Sequence, residues 1–145
     1  MTWPAPEPGL VVRYSYLWYE EARQGRGEGV KDRPCAVVLA VDDGAENPRV
    51  VVLPITHSPP SDPSVAMEIP AATKMRLGLD AERSWVVLRE YNVFRWPGPD
   101  LRMVVNGVPE SAAYGVLPRR FTMEMLKRFA AYVRQGKTRQ TSRGE

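Results

Sequence analysis

The 145-residue sequence has little of the chemistry that metal and thiol sites need, with one cysteine, Cys35, and one histidine, His57. A single cysteine cannot form an internal disulfide, and this pair is too small for a Cys/His zinc site within one chain. Because Cys35 lies in an apolar run, we interpret it as a small buried residue rather than a catalytic thiol. The sequence therefore predicts neither a bound metal nor a cofactor.

Long apolar runs are also missing. No run approaches the roughly 20 residues that span a bilayer, and the N-terminus lacks the basic and apolar pattern of a signal peptide. We therefore expect a cytoplasmic protein that makes no membrane contact.

With 43% hydrophobic and 26% charged residues, the composition is that of a globular protein, and the length suits one domain.

The positive charge is unevenly distributed. The formal charge is +3, and the last twelve residues account for it with four basic and one acidic residue. The remainder is neutral, so the high isoelectric point is weak evidence for a nucleic-acid surface, and any RNA site on the body needs a local arrangement of residues. We predict an extended segment over residues 1–8, a single domain over 9–136 and a basic flexible tail over 137–145.

β-Branched and aromatic runs predict about five or six short strands, within residues 9–18, 31–39, 50–58, 65–69, 84–94 and 101–105. Residues 20–31 are rich in glycine and mixed charges and predict a mobile loop. Residues 71–79 are a candidate short internal helix. We predict a protein that is mainly β with some α, namely a small, partly closed antiparallel barrel with a C-terminal helix.

The C-terminal helix is predicted between Pro118 and Gly136, which are well placed as its first residue and its terminator. Its apolar stripe consists of Thr122, Met125, Leu126, Phe129, Tyr132 and Val133. Such a stripe favours packing onto the sheet, and a partner-binding helix is the alternative.

Two polar strand ends are the most informative feature. If the runs at 31–39 and 50–58 pair antiparallel through the turn at 42–48, Arg33 and Thr56 meet at one edge of the sheet. A guanidinium and a hydroxyl there suit a phosphate group. The alternatives are an arginine paired with Asp32 or Glu90, and a threonine bonded to nearby backbone.

These motifs also occur together in a known family. The strand opening at 9–12, Arg33-Pro34 leading into 36–39, the run at 52–56 and the later run at 84–88 resemble the MazF/PemK toxins of type II toxin–antitoxin systems. The resemblance covers roughly residues 9 to 94. It implies an SH3-like barrel, a homodimer, and a sequence-selective endoribonuclease that cuts single-stranded RNA without a metal. It also implies a cognate antitoxin as partner.

The resemblance implies catalytic roles for Arg33 and Thr56. His57 is a further catalytic candidate because an imidazole titrates near neutrality, although on a strand it faces away from Thr56. In the family a serine more usually follows the threonine. Further candidates for binding RNA are Lys31, Arg26 and Ser58.

Two other functions remain open. A CcdB-like toxin of the same fold binds gyrase and cleaves nothing, but such toxins depend on an apolar, tryptophan-containing C-terminus, whereas residues 139–145 are polar. The other alternative is a non-catalytic member that binds an antitoxin or RNA.

Overall fold

The computed structural model describes residues 2–27, 29 and 31–143. Within these residues the chain forms eight strands and three α-helices. The strands are β1 (Leu10–Tyr14), β2 (Arg33–Val41), β3 (Arg49–Thr56), β4 (Ala66–Glu68), β5 (Trp85–Val87), β6 (Glu90–Arg95), β7 (Ala113–Val116) and β8 (Arg139–Ser142). The helices are α1 (Tyr19–Arg23), α2 (Ala71–Arg76) and α3 (Arg119–Arg134), with 3-10 turns at Pro63–Val65 and Pro109–Ala112. The predicted class, mainly β with some α, is confirmed.

The sheet is antiparallel except where β8 lies parallel to β6. Its hydrogen-bonded order is β4-β5-β3-β2-β1-β7, and β6 joins β3 to β8 outside this path. β3 has different partners along its length, because Arg49–Val52 pairs with β6 and Ile55–Thr56 pairs with β5. The sheet therefore branches at β3 and leaves the barrel open, and the strand predicted over 84–94 is two strands.

Two apolar clusters cover the two faces of the central hairpin. Alternate residues of β3 enter each cluster: Val51, Leu53 and Ile55 enter one, and Val50 and Val52 enter the other. This is the period of two that a strand buried on both faces requires. Both faces of the hairpin are therefore covered by apolar side chains. A site is more accessible at the end of the hairpin where β2 begins and β3 ends.

The C-terminal helix packs onto the first of these clusters, as the apolar stripe favoured. Met125 is fully buried, and Leu126, Phe129 and Tyr132 pack around the same cluster. Gly9 directly precedes β1 and faces α3. Its φ is +92°, and a Cβ at this position would lie 2.5 Å from Thr122 Oγ1. A side chain at residue 9 would therefore push α3 away from β1.

The predicted flexible tail is wrong for the end of the described chain. Residues Arg139–Ser142 form β8, and Arg143 is buried. Its guanidinium donates to Ser15 O at 2.6 Å and pairs with Asp100 Oδ1 at 2.9 Å. These contacts fix Arg143 in the folded structure.

Other boundaries differ from the predictions. The predicted loop at 20–31 begins with α1, and the strand predicted at 101–105 is reduced to one bridge between Leu101 and Tyr14. The strand β7 was not predicted. Residues 28, 30, 144 and 145, which the loop and tail predictions also covered, and residue 1 of the extended segment, lie outside the described residues. In the part of the chain that the structure describes, no helix has the length and apolar character that crossing a membrane requires.

Candidate functional site

The β2–β3 hairpin brings Arg33 and Thr56 to the same end of the sheet. Cys35 lies opposite Pro54, and the same register continued by two residues sets Arg33 opposite Thr56. Both side chains line one cleft of about 480 Å³. The cleft is also lined by Trp18, Ser58, Pro59, Pro60, Ser61, Val65, Ala66, Val87 and Arg89. We call this the Arg33 cleft.

The Arg33 guanidinium is held in place and only partly hydrogen-bonded. Its Nη1 donates to Ile55 O at 3.3 Å, and its Cζ lies 5.0 Å from the centre of the Trp18 ring. Its Nε is buried and has no hydrogen-bond partner among the described residues. A buried donor without an acceptor is costly. The Arg33 side chain also lines the cleft, where a guanidinium suits an anionic oxygen.

The alternative of an ion-paired Arg33 is wrong for the described residues. Asp32 instead pairs with Arg13 at 3.6 Å and with Arg102 at 3.5 Å. Glu90 Oε1 accepts from the Tyr16 hydroxyl and from the Tyr19 amide, each at 3.0 Å. Neither carboxylate neutralises the guanidinium, so Arg33 brings a positive charge to the cleft.

The Thr56 hydroxyl keeps a proton to donate. Its Oγ1 accepts the Ser58 amide at 3.1 Å, which is the local backbone bond that the sequence offered as an alternative. That bond occupies a lone pair and leaves the O–H free, so a backbone role and a phosphate role are compatible. Ser58 lines the same cleft.

His57 and Lys31 line a neighbouring depression, which shares Arg33 with the first cleft. His57 follows the last residue of β3 and lines a different depression from Thr56. His57 Nε2 lies 2.8 Å from Asp80 Oδ2, and Nδ1 lies 3.8 Å from Glu82 Oε2. The structure therefore brings Arg33, Thr56 and Ser58 together and leaves His57 outside their cleft.

His57, Asp80 and Glu82 present ligand atoms within 4.8 Å of one another. A histidine with two carboxylates is a donor set that suits a divalent transition metal. However, the buried Lys74 ammonium donates to Asp80 Oδ1 at 2.7 Å, and this hydrogen bond lowers the pKa of Asp80. The Lys74 ammonium is therefore already paired with the Asp80 carboxylate, and its positive charge would repel a metal cation bound there.

Arg26 is the predicted RNA-binding residue that lies away from both depressions. It is exposed, and its Nε lies 4.0 Å from Glu21 Oε2. Neither the Arg33 cleft nor the neighbouring depression has Arg26 in its wall.

Arg89 and Trp18 line the cleft but were not among the predicted site residues. Arg89 directly follows the buried run from Ser84 to Leu88, and an exposed arginine at the end of such a run is the signal that was available. Trp18 was visible only as one of several aromatic residues near the first strand. Its place over Arg33 depends on how the chain turns into α1.

The cleft thus combines two guanidinium groups with hydroxyls from Thr56, Ser58 and Ser61. Among the described residues that line it, none is a carboxylate or an imidazole. The fold and the site define a mainly antiparallel β protein with a cleft, lined by two arginines and three hydroxyl side chains, at the end of its central hairpin. In comparisons with known proteins, no family model, no curated protein and no solved structure matches the chain.

Proposed function

We propose that the protein is an endoribonuclease of the MazF/PemK kind, a toxin that cuts single-stranded RNA in the cytoplasm without a metal. One observation carries the proposal: an Arg33 guanidinium without a carboxylate partner among the described residues shares a cleft with the Thr56 hydroxyl. The motif resemblance, which includes Arg33 and Thr56, is a second support. A homodimer and a cognate antitoxin rest on that resemblance alone.

The chemistry that suits this cleft is an internal transesterification. The RNA 2′-oxygen attacks phosphorus and loses its proton to solvent, the P–O5′ bond breaks, and the 5′-oxygen takes up a proton. The products are a 2′,3′-cyclic phosphate and a 5′-hydroxyl. Arg33 and Arg89 would stabilise the charge that builds on the non-bridging oxygens, and the Thr56 hydroxyl would orient one of them.

The test is cleavage of a defined single-stranded RNA by the purified protein in the presence of a chelator. We expect fragments with cyclic phosphate ends. Arg33→Ala should abolish cleavage, because a neutral side chain leaves the transition-state charge unbalanced. Thr56→Val should lower kcat by about 10²–10³, which is typical of removing one hydrogen-bond donor to a developing oxyanion, and Thr56→Ser should retain most of the rate.

The matched control is Arg120→Ala, an exposed arginine of α3 that lies outside the Arg33 cleft. It should cleave like the wild type, and all variants should keep the same circular dichroism spectrum. Undiminished cleavage by Arg33→Ala would refute the assignment of the site. Loss of wild-type cleavage on chelation would refute the metal-free scheme, and gyrase inhibition without RNA cleavage would favour the CcdB-like alternative.

A further inference from the structure

We propose that a track of three cations, Arg89, Lys137 and Arg139, continues from the Arg33 cleft and binds the phosphates of nucleotides beside the scissile bond. We call these residues the cationic track. The inference rests on the proposed function and extends it, because it assigns a binding surface to the RNA on one side of the cleft.

The first argument is the pairing of charges. Ten basic residues of the described chain form ion pairs within 4 Å of a carboxylate: Arg13, Arg23, Arg26, Arg49, Lys74, Arg83, Arg95, Arg102, Arg128 and Arg143. Arg89, Lys137 and Arg139 are among the other ten basic residues, which form no such pair within the described residues, and all three are exposed. Cations that have no internal partner are available to an external anion.

The second argument is continuity. Arg89 lines the Arg33 cleft, and it also lines a second depression of about 340 Å³ together with Lys137 and Arg139. The backbone sets this neighbourhood, since the Arg139 amide donates to Arg89 O at 2.9 Å and Arg139 lies beside Glu90 in the parallel pair. A polynucleotide that leaves the Arg33 cleft past Arg89 therefore enters a depression lined by Lys137 and Arg139 and also by the carboxylates of Glu20 and Glu90.

The third argument is the aromatic lining, which favours a nucleic acid strand. Arg139 Cζ lies 4.9 Å from the Tyr19 ring centre, and the preceding residue, Trp18, makes the corresponding contact with Arg33 in the first cleft. Each depression thus offers a cation and an aromatic ring. Unpaired bases stack on such rings while cations bind the backbone.

Three carboxylates lie at or near the track, and two of them, Glu20 and Glu90, line the depression and accept other donors. Glu20 pairs with Arg23 at 3.3 Å, and Glu90 accepts two hydrogen bonds from Tyr16 and Tyr19. Asp62 also lies near the track and keeps its negative charge, because hydrogen bonds from Ser64 lower its pKa, with weaker contributions from Arg89 and Lys137.

The experiment measures binding of a 2′-deoxy oligonucleotide that cannot undergo the cleavage reaction. Fluorescence anisotropy would compare a long strand of about 12 nucleotides with a short one of about 3, a range set by typical single-strand site sizes. The variants are Arg89→Glu and the pair Lys137→Glu/Arg139→Glu, with the neutral pair Lys137→Gln/Arg139→Gln. The control is Arg119→Glu/Arg120→Glu on α3, which makes the same change in net charge on another exposed surface.

We expect the Lys137/Arg139 charge reversal to raise the Kd of the long strand by tenfold or more and to leave that of the short strand within about twofold. Each lost phosphate contact should reduce the slope of log K against log salt by about 0.7, the value typical of single strands. The glutamine pair should show an intermediate loss, and the α3 control should stay close to the wild type. Unchanged thermal melting would show that the variants are folded.

Equal losses in the track variant and in the α3 control, or equal losses for the short and long strands, would overturn the track. The two proposals fail in different ways. If the track variants bind like the wild type while Arg33-dependent cleavage persists, the track is wrong and the nuclease stands. If no RNA is cut but long-strand binding still depends on the track, the nuclease is wrong and the binding surface stands.

Discussion

At the scale of single residues, His57 is the side chain whose role the geometry redefines. Its imidazole bonds to Asp80 and lines a different depression from the Thr56 hydroxyl. The described lining of the cleft holds no imidazole or carboxylate, so in the proposed reaction we expect solvent hydroxide to remove the 2′ proton. The rate should then rise about tenfold per pH unit across neutrality, as specific base catalysis requires.

We therefore expect His57→Gln to keep both the cleavage rate and the slope of log kcat against pH between pH 6 and 8. Single-turnover cleavage over this range is the measurement, and the Thr56→Ser variant serves as a control with an intact imidazole. A wild-type profile that levels off near neutral pH, and that His57→Gln makes linear, would place the imidazole in the reaction.

The residues of the cleft differ in how far the sequence could predict them. Arg33 and Thr56 belong to one hairpin, so strand period and a short turn were enough to set them opposite each other. Arg89 reaches the same cleft only because β3 changes partner from β6 to β5. No local pattern encodes that branch, so this side chain emerges only from the complete sheet.

At the scale of elements, β8 is anchored by the residue that follows it. Arg143 lies in the core beside Tyr14, and its guanidinium hydrogen-bonds Ser15 O and pairs with Asp100. Removing one partner of a buried ion pair costs about 3–5 kcal/mol. Arg143→Met should lower the free energy of unfolding by about that amount, measured by urea denaturation.

The control for this prediction is Arg134→Met, an exposed arginine in the last turn of α3, which should change the free energy of unfolding by less than about 0.5 kcal/mol, as is usual for surface substitutions. Similar losses in the two variants would contradict an anchoring role for Arg143. The anchor bears on the proposed RNA binding because β8 carries Arg139, a residue of the cationic track.

Element boundaries were predictable where hydrophobic periodicity is strong and not where pairing alone makes the strand. α3 was found from its apolar stripe, and the candidate helix at 71–79 corresponds to α2. β8 has the sequence Arg-Gln-Thr-Ser, which lacks the alternation of apolar and polar residues typical of a strand. Its composition alone therefore predicts a polar tail. It is a strand because α3 returns the chain to the free edge of β6.

At the scale of the whole molecule, the two apolar clusters are coupled, because β2 and β3 contribute alternate residues to both. Cys35 and Val37 face one cluster, whereas Ala36 and Val38 face the other. A strand cannot leave one cluster without leaving the other. We therefore expect a single cooperative unfolding transition, in which far- and near-ultraviolet circular dichroism give the same midpoint.

A pair of core substitutions tests this coupling. Leu53→Ala truncates a fully buried side chain of one cluster and should cost about 2–5 kcal/mol, and Val52→Ala truncates one in the other cluster and should cost less because it removes fewer atoms. Both variants should lower both spectroscopic midpoints together, whichever face is altered. Separate midpoints in either variant would mean that the faces unfold independently, and the hairpin end that holds Arg33 and Thr56 would then depend on only one of them. Coincident midpoints would mean that the cleft is held by the entire core.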